Sequence, residues 1–306
     1  MNRHLSRLLS TCLALLLAGL ALSGCSDRAP LGTKDNPIKL FFTPSVEAKT
    51  MQDQSEIIRE YLEAHTPYKF QVAIPASYVA VVESFGTKRA DVAVLNTFGY
   101  LLANEKYGVQ ARLKVIRYGL SSYRSQIIVR ADRGINSIKD LQGKRFAFVD
   151  PVSASGYLLP YKYLHDHGVT LGDTVFAQKH DNVVTMVYQG QVDAGATFYS
   201  PPENGHIEDA RRLVLSQFPD VAQKVKILAL TDEIPNDPVA FRKGLPEEMK
   251  RTIANALVTF VHTPAGRRAF TALYDVTDLT PATDADYDSV RNLLKLVGKS
   301  ASDMVK

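Results

Sequence analysis

The segment Phe148-Val149-Asp150-Pro151-Val152-Ser153-Ala154-Ser155-Gly156-Tyr157-Leu158-Leu159-Pro160 joins a strand to a helix. An apolar run ends at Val149, small hydroxyl residues follow, and a helical pattern opens at Gly156 and stops at Gly168. A buried strand that turns directly into a helix is the building unit of an α/β fold. Such a turn presents unpaired backbone N–H groups and two serine hydroxyls at the positive end of a helix. That is an anion site, and it needs no lysine or arginine. Plain capping, with one serine satisfying the first turn and binding nothing, suits the same residues. A Walker loop is excluded because Gly-Lys-Ser/Thr is absent. A nucleophile elbow is excluded because glycine does not flank the serine on both sides.

The alternation extends in both directions from this turn. On the N-terminal side, 38–42, 68–74 and 90–95 read as strands, and 49–65, 78–85 and 97–106 as helices. On the C-terminal side, 126–130, 145–149, 194–198 and 225–230 read as strands, with helices at 137–141, 156–166 and 182–189. Residues 237–242 read as extended, and 246–297 as mostly helical. Pro246, Glu247 and Glu248 stand where a helix start favours them. This order predicts largely parallel sheets in two α/β lobes, 37–120 with 236–306 and 121–235. The chain would cross between them near 118–126 and again near 229–238. Phe41, Phe42, Met186 and Tyr188 fit core packing better than ligand contact.

The chain opens with Arg3, His4 and Arg7, an apolar run over 13–22, and Leu22-Ser23-Gly24-Cys25. That order reads as a secretory signal peptide over 1–24. The run is half the length of a membrane span. Small residues directly before Cys25 resemble a lipobox, which predicts a lipid anchor on Cys25 and a flexible tether over 25–36. Ordinary signal cleavage that leaves Cys25 a free thiol is the alternative. Cys12 is lost with the leader, so no disulfide, thiolate metal site or cysteine nucleophile is expected. Lys and Arg total 36 against 32 acids, and the leader holds two Arg and no acid, so +4 becomes +2. Nothing in that balance suggests a nucleic-acid partner. With 45% hydrophobic residues the remainder can bury a substantial core.

The central segment resembles the Asp-Pro-x-Ser-Thr-Ser-Gly-Tyr motif of the periplasmic phosphate/phosphite/phosphonate-binding proteins of ABC transporters. Five other segments resemble the same family in the same order. They are Ile74-Pro75-Ala76-Ser77-Tyr78, Arg89-Ala90-Asp91-Val92-Ala93, His180-Asp181-Asn182, Gln191-Val192-Asp193-Ala194 and Ile234-Pro235-Asn236-Asp237-Pro238. The resemblance implies a two-lobed, type II-like periplasmic-binding-protein fold with two crossover hinges. It implies a binding protein and not an enzyme, without cofactor or metal. A monomer in the periplasm or cell envelope would deliver a small phosphorus oxyanion to an ABC permease in the inner membrane.

The same resemblance assigns the ligand contacts. Tyr78 matches a tyrosine whose hydroxyl bonds phosphoryl oxygens. Ser153 and Ser155 match hydroxyl donors, and Ala154 replaces the threonine between them but keeps its N–H. His180 matches a donor, and Asp237 an acid on the crossover that accepts a proton from a protonated oxyanion and repels sulfate. A second family tyrosine is absent near Leu95, where Asn96 and Thr97 are the available donors. The acid that aminoethylphosphonate binders place after the strand at 194–198 is also absent, which implies a ligand without an amine. The cysteine of related arsenite sensors is missing too. A lipoprotein signalling to a receptor kinase shares these features. A phosphoester hydrolase built from His180, Asp181, Asp209 and the serines lacks metal-ligand spacing and a base beside its nucleophile.

Overall fold

The computed structural model describes residues 29–44, 46–296 and 300–305. The leader and Cys25 lie outside the described residues. The chain begins with β1 (Ile38–Phe42), α1 (Ala48–His65), β2 (Phe70–Ala73), α2 (Tyr78–Gly86), β3 (Val92–Val94), α3 (Thr97–Tyr107) and β4 (Gln110–Ile116). A second unit holds β5 (Ser122–Arg130), β6 (Phe146–Phe148), α4 (Leu159–Asp166), β7 (Thr174–Phe176), α5 (His180–Gln189), β8 (Ala194–Tyr199), α6 (Val221–Lys224) and β9 (Val225–Pro235). The chain then returns to the first unit. It forms β10 (Pro238–Phe241), α7 (Glu247–Val261), α8 (Pro264–Tyr274), β11 (Asp278–Pro281) and α9 (Asp288–Leu296).

Two sheets result, one ordered β11-β4-β10-β3-β1-β2 and the other β7-β6-β8-β5-β9. Neither is largely parallel, which corrects the expectation from the alternating pattern. In the first sheet β1 runs parallel to β2 and β3, but the returning β10 enters antiparallel to β3 and β4, and β11 is antiparallel to β4. In the second, β6 is parallel to β7 and β8, whereas β5 is antiparallel to β8 and β9. A chain that crosses between sheets and comes back reverses direction as it does so. Three strands are additional to those expected from sequence: β4, the exposed three-residue β7, and the four-residue β11, which lies inside the region read as helical.

Each sheet is covered on both faces. Met51, Ser55, Ile58 and Leu62 of α1 recur at helical spacing and face inward. They meet Leu40, Phe42, Val92 and Val94 on one face of the first sheet, together with α7 and α8. The opposite face packs Phe41 and Ala93 against α2 and α3. In the second unit Val183, Val184 and Val187 of α5 cover Ile128 and Ala147, with Met186 and Tyr188 alongside. Phe146, Phe148 and Leu164 fill the other side. Each Val, Leu, Ile, Phe or Met among them contributes about 1.5–3 kcal/mol on burial.

The two crossovers touch one another. Between β4 and β5, Arg117 and Leu120 exchange backbone hydrogen bonds of 3.0 and 2.8 Å around Tyr118 and Gly119. Both turn residues have positive φ, 51° and 72°, as a two-residue primed hairpin turn requires. The second crossover is Asn236-Asp237. The Asn236 N–H donates to Ser121 O (3.0 Å), and its side-chain amide to Leu120 O (2.8 Å).

Residues 29–36, read from composition as tether, instead form a docked turn. The Gly32 N–H donates to Asn36 O, Lys69 N–H to Gly32 O, and Asn36 Nδ2 to Ala29 O. Leu31 packs on the first core, so an apolar side chain anchors what the polar composition concealed.

Candidate functional site

The ends of β1, β3, β6 and β8 and the starts of α2 and α5 converge where the two units face each other. Ligands of open α/β sheets bind at this kind of position. The cavity there leaves about 80 Å3 open to the centres of water-sized groups. One water needs about 10–15 Å3 on that measure, so the space suits a few heavy atoms.

The serine turn builds one wall. Ser153 caps a π-helical turn over Ala154–Leu158, and its Oγ accepts the Gly156 N–H at 2.9 Å. Its own O–H stays available to donate, so capping and ligand binding are compatible in one side chain. A Cβ on Gly156 would lie 2.4 Å from Val149 Cγ2 and 2.8 Å from Ser153 Oγ, so only glycine lets the turn fold back on the strand. Just upstream, Asp150 accepts the Val152 N–H at 2.8 Å and also the backbone N–H of Tyr78, across the gap between the units. Burial pushes the Asp150 carboxyl up. Ser155 also lines the cavity, and the Tyr123 hydroxyl bonds the side chains of Ser155 and Thr97.

The first unit supplies Tyr78 and Asn96. Tyr78 is the first residue of α2, behind the Ser77 cap, and burial pushes its phenol well up, so it remains a neutral donor. Asn96 caps α3 through Oδ1, which accepts the Gly99 N–H at 2.8 Å. Its Nδ2 is buried without a hydrogen-bond partner.

The crossovers supply the charges. Arg117 Nη2 donates to Asp237 Oδ2 at 2.6 Å, Nη1 to Asn236 Oδ1 at 3.3 Å, and Nε to the Tyr274 carbonyl at 2.6 Å. Its guanidinium lies 5.7 Å from the Tyr123 ring. Asp237 Oδ1 is buried and has no hydrogen-bond partner. From the second unit Arg212 reaches across to Asp275, at the end of α8. The wall therefore contains two arginines, Arg117 and Arg212, beside the serine turn. Each is matched by an aspartate, so the wall stays close to neutral.

His180 opens α5. Its Nδ1 meets Thr197 Oγ1 at 2.7 Å, and its ring lies edge-on to Phe198 at 5.0 Å. Burial, then the Arg117 cation, pushes its imidazole down to about 3, so the ring is neutral.

Of the residues expected from sequence, Tyr78, Asn96, Ser153, Ser155, His180 and Asp237 line this one cavity. Two do not. Thr97 Oγ1 donates to Pro235 O at 2.5 Å and pins the second crossover. Ala154 is buried among Tyr78, Val152 and Leu158, in the apolar contact between the units. Arg117, Tyr123, Arg212 and Asp275 were not anticipated. An arginine directly before a turn-forming Tyr-Gly pair was the one sequence signal that marked any of them. Of the group imagined for a hydrolase, His180 and the two serines share the cavity, whereas the two aspartates do not line it. Asp209 is committed to Arg211 and Gln126, Asp181 to the Asn182 N–H, and His180 to Thr197. Among the described residues no cluster of three metal-ligating side chains occurs, and no helix is long and apolar enough to cross a membrane.

The profile of the periplasmic substrate-binding proteins of phosphonate ABC transporters matches residues 40–287. The chain belongs to that family. It is a substrate-binding component of an ABC transporter, and the two-sheet architecture is the type II-like fold that the sequence resemblance implied. The phosphate-import protein PhnD of Mycolicibacterium smegmatis is 27% identical, over 94% of this chain and 94% of its own length. The phosphonates-binding periplasmic protein of Escherichia coli is 25% identical over 66% of this chain and 60% of its own length. Among solved structures, PhnD1 of Prochlorococcus marinus in complex with methylphosphonate aligns with a TM-score of 0.73 at 17% identity. That alignment covers 86% of this chain and 98% of PhnD1, and at this identity the likeness is one of fold.

Proposed function

We propose that this binding protein captures a small, singly protonated phosphorus oxyanion without an amine, namely phosphate, phosphite or methylphosphonate. The supporting observation is a buried donor, Asn96 Nδ2, and a buried acceptor, Asp237 Oδ1, both without partners on the wall of one cavity. Buried polar groups are almost always hydrogen-bonded, so this pair fits a ligand that both accepts and donates. Its P–O–H donates to Asp237, and its other oxygens accept from Asn96, Ser153, Tyr78 and His180. The remaining carboxylate on the wall, Asp275, is committed to Arg212, which leaves no acid for a ligand amine. Closure of the two units about the crossovers traps the desolvated anion, where each charge-assisted bond strengthens. The closed surface is then recognised by an ABC permease.

Isothermal titration calorimetry on residues 29–306, stripped of ligand by refolding, tests the cargo. Phosphate, phosphite or methylphosphonate is expected to bind at micromolar or tighter Kd, with aminoethylphosphonate and sulfate at least tenfold weaker. Silence from all three phosphorus anions in a folded sample would overturn the assignment.

The same reading makes the chain a lipoprotein of the cell envelope, supported by the lipobox-like Leu22-Ser23-Gly24-Cys25. Labelled palmitate is expected in the wild-type protein and absent from Cys25→Ala. Label retained in that variant would remove Cys25 as the anchor.

A further inference from the structure

Thr197 lies on β8, in register with Gln126 of β5, and is fully buried. Its backbone is held in place, since Ser125 Oγ donates to Ser155 O at 2.5 Å and reaches Thr197 O at 3.3 Å. Among the described residues the Thr197 hydroxyl has one hydrogen-bond partner, His180 Nδ1 at 2.7 Å. A buried O–H that donates to nothing is costly, so this hydroxyl must donate, and Nδ1 is its acceptor. The single proton of a neutral imidazole then resides on the other nitrogen. We infer that Thr197 is a positioning residue that locks His180 as the Nε2–H tautomer, so that the ring offers the cavity a donor and not an acceptor. Phe198, edge-on to the ring at 75°, packs beside it and opposes a flip.

The consequence for selectivity rests on the reading of the cavity as an oxyanion site. With Nε2–H facing inward, Asp237 Oδ1 is the acceptor that receives the ligand's one proton. With the opposite tautomer the wall would present two acceptors, and an oxyanion with a single O–H would set lone pair against lone pair. Thr197 therefore helps to fix the protonation state of the cargo without touching it.

The test is 15N NMR of the histidine-labelled protein, with the His180 signals assigned by their loss in His180→Gln. The wild type is expected to carry its ring proton on Nε2 before any ligand is added. Thr197→Val keeps the β-branched shape and removes the hydroxyl. It is expected to populate the Nδ1–H form and to weaken phosphate or methylphosphonate binding about tenfold. Thr197→Ser is expected to restore both readings. A wild-type proton on Nδ1 would overturn the inference, and so would Thr197→Val with unchanged tautomer and unchanged affinity. Should Thr197→Val not fold, the wild-type tautomer and the serine variant decide. A wild type that binds no phosphorus anion defeats the cargo reading, while the tautomer of the unliganded ring still decides this one.

Discussion

Asp237→Asn is expected to weaken binding of a singly protonated phosphorus oxyanion by about a hundredfold and to create measurable sulfate binding. Asp237 uses Oδ2 to hold Arg117 at 2.6 Å and keeps Oδ1 buried with no partner. A hydrogen bond to a charged group contributes about 1.5–3 kcal/mol, and each 1.4 kcal/mol is a factor of ten in affinity. The asparagine loses the charge, and its NH2 group either meets the ligand O–H as donor against donor or turns against Arg117. The arginine is then a buried cation without its counter-ion, which costs roughly 3 kcal/mol of folding stability. A fully ionised anion replaces the missing charge and has no proton to place, so discrimination against sulfate should collapse. Calorimetry with phosphate, methylphosphonate and sulfate reads the inversion, and thermal melts read the stability cost. Unchanged phosphate affinity would mean that Oδ1 does not receive the ligand proton.

Asp237 also shows how far the sequence could be read. The family resemblance singled it out, while its local features, an acid in a turn-forming Asn-Asp-Pro segment between two extended runs, also read as a plain turn residue. The serine turn was legible locally, because strand, small residues and helix are contiguous. Arg117 was not legible as the partner of Asp237, because 120 residues separate them and only the touching of the two crossovers brings them together. Strand β4 alternates buried and half-buried residues from Gln110 to Ile116, a period-two signal that was present in the sequence but left unassigned. Strand β11 offers four residues, one of them a proline, too few for any period, and exists because the edge of β4 is there to pair with. Thr197 reads as one more β-branched strand residue. Its role depends on which face of β8 meets α5, and that is fixed by the register with β5. Local chemistry was readable, while pairings made by the return of the chain were not.

Replacing His180 with glutamine should flatten the acid limb of the stability profile. The folded imidazole is pushed down to about 3 from an ordinary 6.5, by burial first and by Arg117 second. Between those values the unfolded chain binds a proton that the folded chain does not. The contribution to stability is therefore complete above about 6.5 and is lost as the pH falls towards 3. The steepest loss is about 1.4 kcal/mol per pH unit, on the order of 5 kcal/mol over the whole span. Asp150 and Asp275 oppose it, since burial raises both carboxyls and their contribution is lost as the pH rises from just above 3.8. Depressed carboxyls such as Glu63 and Asp193 act with His180, but below their ordinary values of 4.5 and 3.8. Comparing wild type and His180→Gln between pH 6.5 and 5 therefore separates the histidine from these carboxyls. Chemical denaturation of the wild type should lose about 1 kcal/mol per unit more than the variant there. Equal slopes would mean that the folded ring takes up a proton as readily as the unfolded one. A ring that stays neutral across the working range cannot adjust the site to the ionisation of its ligand. The histidine is therefore not a source of any pH dependence of capture above about 5.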